Sequence, residues 1–254
     1  MLQQERHNQI IAKLDLEGQV RVRDLSKDFN VTEDCIRKDL TALEKEGLLK
    51  RIHGGAMQVR KNLHAYHVDE RMSVRLTQKK MIAKKAVELI EENTVIFLGI
   101  STVNLELAKC IYQKNIPLTI VTNMIDIMQL FRQGGHHANL IFIGGHFNRA
   151  KDGFIGALTI EQIHNYRFDL AFIGTVGMNI HDDKVTTYDV EDGLTKKEVM
   201  EASKKCYLVA ENEKFELDGN YVFGSLSEFT GYIGSQEVTG RYKEKMEEYG
   251  LEII

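Results

Sequence analysis

"NVTEDCIRKDLTALEKEGLLKRIHGGA" (residues 30–56) holds a hydroxyl start signal, an apolar stripe and exposed cations in one run that ends on two glycines. Thr32 is a good N-cap, because its hydroxyl accepts from an orphan first-turn amide. Glu33 and Asp34 suit the positive end of the helix dipole. Ile36, Leu40 and Leu43 fall on one face of a 3.6-residue period and form the buried stripe. Glu33, Arg37, Lys38 and Thr41 are left on the other side. Gly47 closes the helix, and residues 48–56 alternate loosely, as a hairpin whose bend needs Gly54–Gly55. Upstream, Ile10, Ile11 and Leu14 predict a helix that begins near Glu5 and ends at Gly18. Residues 19–22 read as a short extended piece. Residues 23–29 read as a second helix with Leu25 and Phe29 inward, and Asn30–Val31 as a tight turn. Three short helices, a tight turn before the third and a β-wing predict a winged helix-turn-helix over residues 1–56.

The chemistry follows from size. An α-helix fits the major groove of B-DNA, where Arg37 can fork onto guanine O6 and N7 and Glu33 can accept from a cytosine amine. Lys38, Lys50 and Arg51 would neutralise phosphates and set register. The plainer alternative is a solvated basic face on a helix that merely packs. The order helix, helix, capped helix, basic hairpin favours DNA. Thr32, Glu33, Arg37, Lys38, Thr41, Lys50, Arg51 and His53 are the candidate DNA-binding residues.

At 254 residues the chain is long enough for two domains, and 43% hydrophobic with 28% charged residues is ordinary globular usage. The net charge of -4 is uneven: residues 1–61 carry +2 and the remainder -6. No apolar run approaches the roughly 18 residues of a membrane span. The N-terminus lacks a secretory layout. Three cysteines, Cys35, Cys110 and Cys206, are odd in number and far apart, as suits a reducing cytoplasm. No metal site is expected; His136–His137 read as part of a surface loop.

Residues 57–78 are rich in charge and histidine and read as a linker, with a short helix around 66–72. Residues 79–254 read as an α/β domain. An amphipathic helix at 79–90 points Ile82, Ala86, Leu89 and Ile90 inward. Apolar strand candidates then follow at 94–99, 118–122, 139–145, 169–177, 206–211, 221–225 and 231–235, with helices at 102–112, 124–133, 157–165 and near 194–204. Strands apolar on both faces and separated by helices predict a mostly parallel sheet covered on two sides. Ligands of such sheets sit outside the carboxyl ends of the strands. There the sequence has Gly99, Ser101 and Thr102, then Thr122 and Asn123, then Gly144 and Gly145, then Gly174. Ser101 and Thr102 precede a helix, so hydroxyls and helix amides form an anion pocket. Lys214 adds a positive charge. Together they suggest a phosphorylated small molecule. With no GxGxxG after the first strand and no Walker motif, neither a dinucleotide nor an NTP is expected, and the expected protein carries no cofactor.

These residues resemble a known family. Val31, Ile36, Arg37, Asp39, Leu40, Leu43, Gly47, Leu49, Arg51, His53, Gly54, Gly55 and Ala56 match the DNA-binding signature of DeoR-type bacterial sugar-metabolism repressors, and Arg6 matches its upstream part. Thr32 and Lys38 replace the usual Ser and Arg, and Cys35 replaces a threonine. The likeness extends through "KKMIAKKA", "IVTN", "FIGG", "FIGAL", "DLAFIG" and the lysine of "NEKF". It implies an effector domain similar in fold to ribose-5-phosphate isomerase and glucosamine-6-phosphate deaminase. It also implies a sugar phosphate held by loops 99–104, 122–124, 144–153 and 174–177, which adds Asp152, Gly153 and Glu211 to the site. A family lysine falls at Lys196 or Lys197, with Lys197 the candidate. Gly99 stands where the family has an acid, Glu211 where it has Asp, and Asn148 where Arg is common.

The expected protein is therefore a cytoplasmic DNA-binding regulator, a repressor of a carbohydrate operon. It would bind double-stranded operator DNA as a homodimer or homotetramer under control of a phosphorylated sugar. The alternative is a sugar-phosphate isomerase or deaminase with an accessory DNA-binding head, with Asp152, Asp169 or Glu211 as base. A third reading leaves the pocket vestigial.

Overall fold

The computed structural model describes residues 3–17, 19–58, 61–62, 74–149 and 152–254. The chain divides into two compact units, Met1–Lys61 and Asn62–Ile254. Gly18 and the helix expected around 66–72 lie outside the described residues.

In the first unit α1 (Gln3–Glu17) starts two residues ahead of the expected Glu5. Then come β1 (Gln19–Arg21), α2 (Val22–Asp28), α3 (Glu33–Lys45), β2 (Leu49–Ile52) and β3 (Gly55–Gln58). The strands form an antiparallel sheet in the order β1-β3-β2. Ile10, Leu14, Leu25, Ile36, Leu40, Leu43 and Leu49 make one core. Each is almost fully enclosed, which contributes about 1.5–3 kcal/mol per side chain. Thr32 caps α3 by accepting from the Cys35 amide at 3.3 Å. Gly47 ends it: the Gly47 amide donates to the Glu44 carbonyl and the Leu48 amide to the Leu43 carbonyl, with Gly47 at φ +73°, a Schellman closure. The two wing glycines have separate jobs. His53 and Gly54 make the bend, since Ile52 pairs with Gly55. Gly55 lies in β3 against β1, where a Cβ would stand 2.0 Å from the Val20 carbonyl oxygen. Only a residue without a side chain lets these strands approach so closely.

The second unit opens on α4 (Leu76–Val87). β4 (Val95–Leu98), α5 (Thr102–Lys114), β5 (Thr119–Thr122), α6 (Ile125–Phe131) and β6 (Asn139–Phe142) follow. A small antiparallel hairpin comes next, β7 (His146–Asn148) with β8 (Gly153–Ile155), and then α7 (Ala157–His164) and β9 (Phe168–Gly174). β10 (Gly177–Asn179), β11 (Lys184–Thr187), α8 (Val190–Glu201) and β12 (Ser203–Val209) continue the chain. It closes with β13 (Tyr221–Gly224), β14 (Gly231–Ile233), α9 (Gly240–Glu248) and β15 (Glu252–Ile253).

Seven strands form one sheet in the order β15-β14-β12-β9-β4-β5-β6, and every pairing in it is parallel. Its two faces are buried under separate apolar clusters, one around Ile82, Leu98, Leu107 and Ile120, the other around Phe97, Ile163, Ala171 and Leu208. That explains the unbroken apolar runs of the strands. Three expectations change. Residues 221–224 do not join the large sheet; they pair antiparallel with β11 in a separate sheet, β10-β11-β13. The helix expected near 194–204 begins at Val190, capped by Asp189, whose side chain accepts from the Asp192 amide. His136 is half-buried, hydrogen-bonded to the Phe131 carbonyl at 2.8 Å and set edge-on to the Phe131 ring, not a solvated loop residue.

Candidate DNA interface and effector site

The expected DNA-facing side chains lie on α3 and the wing of the first unit. Glu33, Arg37 and Lys38 are exposed along α3, and Lys50, Arg51 and His53 along the wing. Arg51 Nη1 donates to Thr41 Oγ1 at 2.9 Å, and Thr41 Oγ1 donates to the Arg37 carbonyl at 2.7 Å. The Arg51 amide donates to Glu44 Oε1 at 2.8 Å. Thr41 is thus a bridge that fixes the wing's distance from α3. Strand alternation puts Lys50 on the opposite face of β2 from Arg51. The Thr32 hydroxyl is engaged as the α3 cap.

Within this unit lies a buried ionic cluster that an apolar-stripe reading misses. Asp39, on α3, is 1% exposed. It takes hydrogen bonds from Arg6 Nη2 at 3.0 Å and Arg6 Nε at 2.5 Å, and pairs with His7 Nε2 at 3.1 Å. Burial pushes the Asp39 carboxyl up. The hydrogen bonds from Arg6 and His7, with their charge, outweigh it and hold the group below its ordinary value. The hydrogen bond to Asp39 raises Arg6. The cluster ties α1 to the reader helix. The sequence signal was present, an Arg and an Asp each matching the family signature.

In the second unit the strand order runs from β4 to β5 and β6 on one side and to β9 and β12 on the other. The carboxyl ends of β4 and β9 therefore flank the switch point, where α/β ligands sit. Gly99, Asn123 and Gly174 line a small cavity there with Ile100, Asp192, Thr195 and Lys196. Ser101 packs on Gly174, where a Cβ would lie 2.5 Å from the serine oxygen. Gly153 abuts Ile100 and the Asn123 carbonyl. Asn104, fully buried, donates to the Gly99 and Phe172 carbonyls at 2.9 and 2.8 Å and so joins the ends of β4 and β9. Asn123 Nδ2 donates to the Phe154 carbonyl at 2.7 Å, while its Oδ1 is buried without a partner. Lys196 Nζ donates to Asp192 Oδ2 at 2.8 Å, which also takes the Thr187 hydroxyl, and Nζ stands over the Phe223 ring. The cavity encloses about 10 Å³, roughly the room of one water. As it stands the cavity has no room for a sugar phosphate.

Several expected residues lie elsewhere. Lys196, not Lys197, faces the cavity, because Asp192, Thr195, Lys196 and Val199 share the inward stripe of α8 while Lys197 is exposed. The Thr122 hydroxyl is committed to the backbone, donating to the Leu98 carbonyl and accepting from the Met124 amide. The Gly144 carbonyl takes the Thr159 hydroxyl and Gln162, and Gly145 abuts Thr159. Asp152 adopts φ +54° ahead of β8. Glu211 is buried and paired with buried Lys79 of α4 at 3.9 Å, two residues from Glu213, which takes Gln78 and Arg75. Lys214 sits in the 3₁₀ turn Asn212–Glu216. Thr102 lines a different, open groove of about 540 Å³ between α4 and α5, with Leu76, Lys80, Lys84, Leu105 and Lys109. Among the described residues, no group of three or more acidic, His or Cys side chains is arranged to hold a metal, and no helix is long and apolar enough to cross a membrane.

A winged helix-turn-helix with a basic wing, followed by a parallel α/β unit with a crevice at its switch point, defines a ligand-controlled DNA-binding regulator. Residues 6–62 match the DeoR-like helix-turn-helix domain and residues 74–236 the DeoR C terminal sensor domain. The chain belongs to the DeoR family of transcriptional regulators. It is 32% identical over 216 residues to an uncharacterized HTH-type transcriptional regulator, FruR, of Bacillus subtilis, covering 85% of this chain and 84% of that one. It is 29% identical to the lactose phosphotransferase system repressor of Staphylococcus epidermidis, covering 98% of each. It is 28% identical to the glycerol-3-phosphate regulon repressor of Escherichia coli, over 89% of this chain and 88% of that one. Ribose 5-phosphate isomerase A of Methanocaldococcus jannaschii aligns with 55% of this chain and 54% of its own, at 16% identity and a TM-score of 0.40.

Proposed function

We propose that the chain represses a carbohydrate-metabolism operon, binding operator DNA through α3 and the wing, and that a phosphorylated sugar at the switch-point crevice controls this binding. The observation that carries the sensing half is the convergence of Gly99, Asn123 and Gly174 with the Lys196–Asp192 pair. One winged unit touches few phosphates, so operator binding calls for a homodimer or homotetramer on repeated half-sites. The closed crevice supplies the differential affinity that effector control requires, since only an opened form accepts the sugar. A protein that acts on operator DNA in this way would work in the cytoplasm.

An enzymatic role is disfavoured by the state of two candidate bases. Asp169 is at the amino end of β9, far along the strand from the crevice. Its hydrogen bond from Lys204, with one from the Val95 amide, holds it below the ordinary carboxylate range. Glu211 is paired with Lys79. The test is footprinting of the full chain on DNA upstream of its own gene, with and without pentose and hexose phosphates. Protection released by one of them supports the proposal, and protection indifferent to all of them refutes its sensing half. A second reading, favoured by volume, seats the sugar phosphate in the α4–α5 groove beside Lys80, Lys84 and Lys109. Loss of response in Lys84→Ala but not in Lys196→Met selects it.

A further inference from the structure

Arg37 does not stand free on α3. Its Nη2 donates to Glu33 Oε2 at 2.6 Å and its Nη1 to Asp34 Oδ1 at 2.9 Å. Both carboxylates lie one turn back, toward the amino end of α3, which is the end of a reader helix that meets base edges. All three side chains are solvent-facing, with Arg37 49% and Asp34 81% exposed. Exposed pairs of this kind contribute little to stability, so their consequence lies in what the surface presents. Each arm of the guanidinium fork is engaged by a carboxylate, and the trio carries one net negative charge.

A phosphate approaching this corner gains one cation and faces two anions. Arg37 on a phosphate also leaves both carboxylates unpaired beside the DNA backbone. Base edges offer a better match. Guanine presents O6 and N7 to the fork, and a neighbouring cytosine N4 or adenine N6 presents an amine to a carboxylate. Of the two sites, only the base edges meet the fork and also give a carboxylate a donor in exchange.

We propose that Glu33 and Asp34 are specificity-determining residues. They hold Arg37 off phosphates and release it where a guanine lies beside a base with a major-groove amine. This rests on the reading of Arg37 as a base-contacting residue.

The test selects binding sites from a random duplex pool with the full chain, and measures its affinity for random-sequence duplex. In the Glu33→Gln/Asp34→Asn variant, affinity for random duplex should rise about three- to tenfold. The selected motif should also lose its preference at the amine-bearing position. Asp24→Asn/Glu46→Gln removes the same charge from exposed positions elsewhere in the unit; it should raise affinity without altering the motif. An unaltered motif in the first variant, or the same alteration in the control, overturns the proposal. Arg37→Ala separates the two layers. If it leaves the motif untouched, the underlying reading of Arg37 fails; if it changes the motif while Glu33→Gln/Asp34→Asn does not, only the specificity claim fails. Arg37→Lys keeps the charge without the fork, and on that background the double carboxylate change should no longer move the motif, a result that a folding defect would not produce.

Discussion

Replacing Asp39 with Asn tests whether the buried cluster holds the DNA-binding unit together. The carboxylate is 1% exposed and its partners Arg6 and His7 are 7% and 8% exposed. The amide keeps the shape but turns one acceptor into a donor facing the Arg6 fork, and leaves the guanidinium enclosed without a counter-charge. Breaking a buried pair in this way costs about 3–5 kcal/mol. A unit the size of Met1–Lys61 has about 3–9 kcal/mol of stability, so most of it is lost. Hydrogen exchange on the full chain reads this directly, because amides of Ile36, Leu40 and Leu43 exchange only through opening of the unit. Protection there should fall by about two to three and a half orders of magnitude, while β4, β9 and β12 stay protected. Arg6→Met with Asp39→Leu, which removes both charges, should recover much of the loss. Acid gives the same answer by another route. The folded pKa of Asp39 lies below its ordinary 3.8. Its stabilisation is therefore fully present above that value and disappears as the pH falls through the folded one. Asp39→Asn with undiminished protection would refute the reasoning.

Three further outcomes are expected. Lys196→Met leaves Asp192 buried beside an apolar chain and should cost the second unit about 3–5 kcal/mol, whereas exposed Lys197→Met should stay within about 0.5 kcal/mol; thermal melts distinguish them, and equal effects would contradict the assigned helix phase. Gly55→Ala puts a methyl 2.0 Å from the Val20 carbonyl oxygen and should lower the stability of the first unit by about 1–3 kcal/mol, read as a shifted urea midpoint. Burial pushes the Cys206 thiol up, far out of its ordinary range, and that of half-buried Cys110 up as well. Native alkylation followed by mass spectrometry should label Cys35 first, Cys110 later and Cys206 only on unfolding; early labelling of Cys206 would show that β12 opens.

The reader unit was legible because its signals are local. A cap, an apolar stripe at 36, 40 and 43, and a closing glycine each act within one helix, and the family signature repeated them. Asp39 was legible only as a motif match, since its partners are more than thirty positions away. The large sheet showed in its apolar runs, but a run does not tell which sheet it joins. Residues 221–224 pair with β11 through an edge that only the fold creates. The hairpins β7–β8 and β10–β11 are three or four residues per strand, too short for periodicity to register. At the crevice, the sequence showed glycines after strands, and Gly99 and Gly174 do line the cavity there. The choice between Lys196 and Lys197 turned on the phase of α8, whose mixed polar and apolar faces give no clear period. Thr122 has the chemistry of a ligand contact, and only its neighbours reveal that the backbone has claimed its hydroxyl.

The crowding at Gly55 reaches well beyond the wing's own fold. On the proposed reading, the gap between Arg51 on the hairpin and Arg37 on the helix is a ruler laid against the grooves of a duplex, held both by the Thr41 bridge and by how near β3 can come to β1. A bulkier residue there would lengthen the ruler without touching any side chain proposed to meet a base. Such a variant would still respond to its metabolite and still attract DNA, yet would no longer settle on its own operator.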